Sequence, residues 1–189
     1  ALFSSSVVDS LMKMLSGKDA HPQFDMGDVA ALPTPVVDKQ AACALRSAVR
    51  HAWALKRSLD SRNENSHAFT LPAPLQIHAG TLAARAAEWR HRLRETEAEL
   101  AAIQAEIDTR CFAIYGINEA DQSSIIEGFG ALTDESTADD EAEFDDDTKA
   151  NIADIAGLVA ELFSWAAGVA FGRFDVRLAT DERSAPPDP

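Results

Sequence analysis

The chain is expected to be all-α: an antiparallel helical bundle with one long coiled-coil-like helix and a short irregular N-terminal segment. Three observations lead there. Two separate stretches place apolar residues at alternating steps of three and four, the spacing of a helix seam. A third stretch, 39–61, is amphipathic at helical spacing. Aromatic residues make up only 7% and Ala is abundant, which favours helix over strand.

The elements follow in order. Residues 7–15 read as a short helix, with Ser4, Ser5 or Ser6 as N-cap and Gly17 as its end. From His21 to Pro35 the punctuation of Pro22, Gly27, Pro33 and Pro35 predicts irregular chain, with short extended pieces around Phe24 and Val29. Asp38 caps a helix of about six turns reaching Ser61. Its buried face is expected to carry Leu45, Val49, Ala52, Lys56 (through its stem) and Leu59. Residues 63–74 are polar, then proline-bearing, and predict an ordered loop.

The next helix is the clearest. Leu82, Ala86, Trp89, Leu93, Thr96, Leu100, Ile103 and Ile107 form an unbroken heptad seam, so a helix is expected from about Ile77 to Tyr115, stopped by Gly116. Asn118 caps a short helix through Glu127. The last helix is expected over 149–171, with Ile152, Ile155, Val159, Leu162, Ala166 and Val169 as its seam. Two such seams predict helices packed antiparallel on one another. The expected organisation is therefore 1–37, 38–128 as the helical domain, 129–147 as an acidic linker, 148–175 as a helix packing on the bundle, and 176–189 as a tail.

Length and charge narrow the function. A chain of 189 residues can bury a core of its own. The net charge of −14 argues against nucleic acid until its distribution is read. Twelve of the acids lie between Glu119 and Asp147, where there is no Lys or Arg. Between Lys39 and Arg62 there are six basic residues and one acid, Asp60. Lys39, Arg46, Arg50, Trp53 and Arg57 share one face of their helix, and Arg62 follows in the loop. Cations repeated along one face suit a phosphate backbone, so Lys39, Arg46, Arg50, Arg57 and Arg62 are the candidate DNA contacts. The alternative is a solvated face, or one paired with the acidic run.

Other chemistries find little support. His51, His67, His78 and His91 lack ligand spacing, and Cys43 and Cys111 match neither a metal motif nor an expected disulfide. His67 is expected to make a loop hydrogen bond. The acids between Asp139 and Asp147 lack the glycine and register of a calcium loop. Gly128-Phe129-Gly130 follows a helix and reads as a C-cap rather than a cofactor loop. No Gly-x-Ser-x-Gly elbow occurs. Trp53, Trp89 and Trp165 read as core. Arg173 and Arg177, just past the last helix, suit its final carbonyls or a contact with another domain. No uninterrupted apolar run of 18 residues is present, and no basic signal-peptide start, so a cytoplasmic protein without membrane partners is expected.

Four segments carry a resemblance. They are Phe24-Asp25-Met26-Gly27-Asp28-Val29-Ala30-Ala31-Leu32-Pro33-Thr34-Pro35; Leu59-Asp60-Ser61 through His67-Ala68-Phe69; Glu106-Ile107-Asp108 through Tyr115-Gly116-Ile117; and Gly172-Arg173-Phe174-Asp175. In this order they resemble the region beyond the catalytic domain of PglX-like adenine-specific DNA methyltransferases, of the BREX phage-defence or restriction–modification type. Lys18-Asp19-Ala20-His21-Pro22 departs from the Asn-Pro-Thr that usually precedes the first. The resemblance implies a parent enzyme that uses S-adenosylmethionine and an Asn-Pro-Pro-Tyr loop around a flipped adenine. Neither that loop nor a cofactor turn is in this chain, so the chain alone is expected to bind no cofactor and to be inactive. It reads as a helical piece supporting target recognition. Its implied partners are double-stranded DNA, the catalytic domain of the same parent chain and other defence-system proteins. Two rival readings are a helical scaffold for defence proteins without DNA contact, and the spacer region of a type I restriction specificity subunit.

Overall fold

A computed structural model describes residues 2–16, 26–130 and 146–185. They form six α-helices: α1 (Ser6–Ser16), α2 (Met26–Ala31), α3 (Lys39–Asp60), α4 (Leu82–Tyr115), α5 (Glu119–Gly130) and α6 (Asp146–Ala170). Single 3-10 turns lie at Leu2–Ser4, Ala73–Leu75 and Val176–Leu178, and there is no strand among the described residues. The all-α class with one long helix is what the seams predict. The linker expected at 129–147 lies outside the described residues from 131 to 145. The Gly128-Phe129-Gly130 string belongs to α5 itself rather than to a cap beyond it.

Contacts group the chain into two compact units, Ala1–Ala52 with Glu99–Asp140, and Trp53–Ala98 with Glu141–Pro189. Each joins stretches far apart in sequence.

In the first unit, Ser5 is the N-cap of α1. Its Oγ accepts from Val8 N at 3.4 Å, and its carbonyl accepts from Asp9 N at 3.1 Å. The next free donor is met from far away. Asp108 of α4 accepts from Ser6 N at 2.7 Å and from Ser6 Oγ at 2.8 Å. A carboxylate at a helix N-terminus suits the helix dipole, and its contact with Gln104 Nε2 at 3.1 Å fixes its rotamer. Around this anchor Val8, Met12 and Leu32 are buried, with Leu11, Val29 and Tyr115 packed against them.

That cluster explains the first correction. Val29 is helical, not extended, and the 1–37 stretch is less irregular than expected. A helical turn puts Val29 and Leu32 on the same side, where both meet α1; the chain leaves the helix before Pro33, as the steric demand of proline on its predecessor requires. Phe24 lies outside the described residues.

Helix α3 starts where expected. Asp38 Oδ1 accepts from Ala41 N at 2.9 Å. Its buried residues are Leu45 and Ala48. Val49, Ala52 and Leu59 are half-buried, but Lys56 is exposed.

Helix α4 begins at Leu82, five residues later than expected, because 76–81 are held in another conformation. Arg85 donates from Nε to Ala79 O at 2.9 Å and from Nη1 to Pro74 O at 2.7 Å. Thr81 then caps the helix, its Oγ1 accepting from Ala84 N at 3.2 Å. The seam is as predicted in register: Ala86, Trp89, Thr96, Ile103 and Ile107 are buried, while Leu82, Leu93 and Leu100 are half-buried. Thr96 satisfies its hydroxyl on Arg92 O at 2.8 Å. The end is a Schellman motif. Gly116 takes φ +66°, Ile117 N donates to Phe112 O at 3.0 Å, and Gly116 N donates to Ala113 O at 3.3 Å. Asn118 starts α5, accepting from Asp121 N at 2.9 Å.

In the second unit, Ala73, Ile77, Ala86, Trp89 and Leu158 form the core, with Leu59, Ala79, Leu93 and Ile155 around it. Here the α6 seam is corrected. Leu158 and Trp165 are its buried residues, Val159 is half-buried and Ala166 is exposed. The inward stripe is therefore Ile155, Leu158, Leu162, Trp165 and Val169. Both stripes alternate three and four; the larger Trp165 takes the inward position because burying an indole removes far more apolar area from water than burying Ala166.

Ile107, 2% exposed, should be among the costliest positions to truncate. Ile107→Ala is expected to lose about 2–5 kcal/mol in urea denaturation, and Leu100→Ala, only half-buried, distinctly less.

Candidate nucleic-acid interface

The basic face of α3 exists because its sequence puts no acid between its cap, Asp38, and Asp60. Ala-rich positions give helix propensity, and Arg and Lys take the solvent side. Lys39, Arg46 and Arg50 are exposed and make no ion pair among the described residues. They lie in the first unit, as does His51, whose Nε2 is 3.1 Å from Glu99 Oε1. Beside Arg46 and Arg50 is an open groove of about 450 Å³, reaching from Leu2 and Phe3 to Leu45 and Val49.

The other two candidates are held differently, within the second unit. Arg57 is half-buried, its guanidinium 5.3 Å from the centre of the Trp53 ring. Trp53 is 53% exposed, against the expectation of a core residue; it stands on the solvent side of α3 with its basic neighbours. Arg62 is half-buried, 5.5 Å from the Trp89 ring, and its Nη1 is 3.5 Å from Glu161 Oε1. Arg92 approaches the same ring at 5.3 Å. Trp89, 1% exposed, thus packs with two guanidinium groups. The sequence signal for Arg92 was its i+3 position after Trp89, which helical geometry turns into contact.

The four segments singled out in the sequence meet in pairs. In the first unit, Tyr115 Oη donates to Pro33 O at 3.1 Å, joining the first segment to the third. In the second unit, the second and fourth segments come together. Phe69 and Phe174 have ring centres 5.0 Å apart. Glu64 Oε2 accepts from Ser164 Oγ at 2.9 Å and lies 3.7 Å from Arg173 Nη1. Within the second segment Ser66 Oγ donates to Asp60 Oδ2. His67 is exposed and makes no hydrogen bond among the described residues, unlike the expectation.

The Gly172-Arg173-Phe174-Asp175 string is a helix stop. Gly172 takes φ +74°, and Arg173 N donates to Gly168 O at 2.7 Å, a second Schellman motif. Phe174 folds back onto α6, where a Cβ on Gly168 would overlap its ring. The side chains of Arg173 and Arg177 leave the α6 carbonyls alone and pair with carboxylates instead. Asp175 accepts from Arg177 Nε at 2.9 Å, from Arg177 Nη2 at 2.8 Å and from Arg183 Nη1 at 2.9 Å. These guanidinium hydrogen bonds, with one from Arg177 N, hold the Asp175 carboxyl well below the usual carboxylate range.

Among the described residues no three metal-ligating side chains cluster, and no helix is long and apolar enough to cross a membrane. Cys43 is exposed and Cys111 is buried, both as free thiols. Burial pushes the Cys111 thiol up, opposed by its contact with Ser5 and reinforced by Asp108. Compared with known proteins, the chain matches no family model, no curated protein and no solved structure.

Two outcomes follow from this geometry. A depressed carboxyl contributes stability above its ordinary pKa and loses it as pH falls toward its folded value. Between about pH 4 and about pH 2 the wild type should therefore lose more melting temperature than Asp175→Asn, and high salt should narrow the difference. Titration with a colourless aromatic disulfide at neutral pH should release one thiol equivalent quickly, from Cys43. The Cys111 equivalent should appear only in denaturant; immediate release of both would contradict its burial.

Proposed function

We propose that this chain is a non-catalytic helical part of a PglX-like adenine-specific DNA methyltransferase from a phage-defence or restriction–modification system. In this reading it supports target recognition by holding duplex phosphates on α3. The observation that carries the DNA contact is the exposed set Lys39, Arg46 and Arg50 on one helix face, with no ion-pair partner among the described residues. Guanidinium and ammonium groups set one or two turns apart can neutralise successive phosphates while carrying no base readout, so the contact positions the duplex and leaves sequence choice elsewhere. Arg57 extends the set in sequence. Arg62, engaged with Trp89 and Glu161, serves the fold first. The parent methyltransferase resemblance rests on the four ordered segments of the sequence. S-adenosylmethionine and the target adenine would belong to the catalytic domain of the parent chain, in a bacterial cytoplasm.

A second reading has its own observation. Phe163 of α6 and Phe171, just past the end of that helix, are 74% and 90% exposed, apolar surface suited to protein contact. It favours a helical scaffold that docks defence proteins.

Fluorescence anisotropy on a labelled duplex separates the two. DNA support predicts weak, sequence-independent binding whose log–log salt slope is about −3 to −4, for four phosphates at roughly −0.9 each. Charge reversal at Arg46 and Arg50 should abolish it, and deletion of 133–146, which removes competing acids, should strengthen it at low salt. Equal weak binding by all three proteins would transfer the lead to the scaffold reading.

A further inference from the structure

Phosphate contact uses Arg46 and Arg50 but leaves the apolar floor beside them without a role. The groove is built from three parts. Leu2 and Phe3 form one wall, and Phe3 is 69% exposed. Ala42, Leu45 and Val49 of α3 form the floor, at the i, i+3, i+7 spacing of one helix face. Arg46 and Arg50 form the other rim, one turn apart, and among the described residues no carboxylate lines the cavity. Neither arginine has an ion-pair partner among the described residues.

A duplex backbone presents regularly spaced anions and little apolar surface, so it cannot use the floor. A free apolar molecule would use the floor and not the rim. We propose that this groove docks an acidic amphipathic helix of a protein partner. Two apolar side chains four residues apart enter between Phe3 and Val49, and carboxylates on the flank of the same helix pair with Arg46 and Arg50. The side of the groove that α3 supplies, from Ala42 to Arg50, is about 12 Å long at 1.5 Å per residue, which matches two turns of such a helix. Burial of the anchors in the groove supplies affinity, and the charge pairing sets orientation and excludes basic helices. Because the partner takes the same guanidinium groups, it displaces DNA. That last step rests on the DNA reading above; the docking does not.

The test uses the full chain and three fluorescein-labelled synthetic peptides of about 16 residues, long enough for the two turns of the groove. The first has two Leu four apart flanked by Glu. The second has the Leu replaced by Ala, and the third has the Glu replaced by Gln. The expected result is saturable anisotropy binding of the first, with the second and third each weaker by about tenfold or more. Arg46→Gln with Arg50→Gln should cost the first peptide a similar factor and leave the third unchanged. Val49→Lys, which places a charge on the half-buried floor, should weaken the first and third alike. Circular dichroism on each variant verifies that the helix content is kept. No binding of the first peptide would overturn the proposal. So would equal binding of the first and second, which is charge alone, or of the first and third, which is apolar adhesion alone. An unlabelled duplex is then added to the first complex. Displacement supports the shared site. If the peptide binds as expected but the duplex does not displace it, the DNA reading falls and the docking stands.

Discussion

The constraint on which this fold depends is the apolar stripe of α4. A 34-residue helix spans about 51 Å, and along it every third or fourth residue must leave water. The helix supplies Ala86 and Trp89 to the core of one unit, and Tyr115 to the packing of α1 and α2 in the other. The short elements have little core of their own. Six residues of α2, or the single turn at Ala73–Leu75, would not persist as isolated structure, because helix nucleation is unfavourable without tertiary burial. Their conformation follows from what α4 offers them.

Polar groups decide where those elements attach. Asp108 reaches the first donors of α1 across 102 positions of sequence. Arg85 ties two loop carbonyls and so sets where α4 itself begins. Each is a charged group bonded to backbone, the stronger class of hydrogen bond, and each would leave buried polar atoms unsatisfied if removed. Hydrophobic burial brings the segments together without direction; these bonds give a single registration.

The chemistry of the surface divides in the same way. Basic residues near the end of the chain are spent on the fold, with Arg173 on Glu64 and Phe174, and Arg177 and Arg183 on Asp175. Basic residues early in α3 are not. A cation with a carboxylate at hydrogen-bond distance has little left for a ligand, whereas Arg46 and Arg50 are exposed and have no ion-pair partner among the described residues. The functional reading follows from that difference rather than from net charge, which is dominated by acids elsewhere.

Much of this was determined by the sequence alone. Asp38 and Asn118 cap helices, Gly116 ends one, and the α4 seam reads out in its true register, because caps and periodicity act within a few residues of themselves. The basic face of α3 was legible for the same reason. What tertiary structure decided involved competition between equally regular choices. The α6 sequence allows two stripes, and burial of Trp165 selects one. Residues 77–81 could have continued a helix, and Arg85 holds them out of it. Val29 could have been extended, and packing on α1 made it helical. Trp53 and Arg62 exchanged expected roles, the indole facing solvent and the guanidinium packing on Trp89, because only the folded chain determines which neighbour each side chain finds. Local rules specify what an element is; which of its faces turns inward depends on partners far away in sequence, as Asp108 is from Ser6.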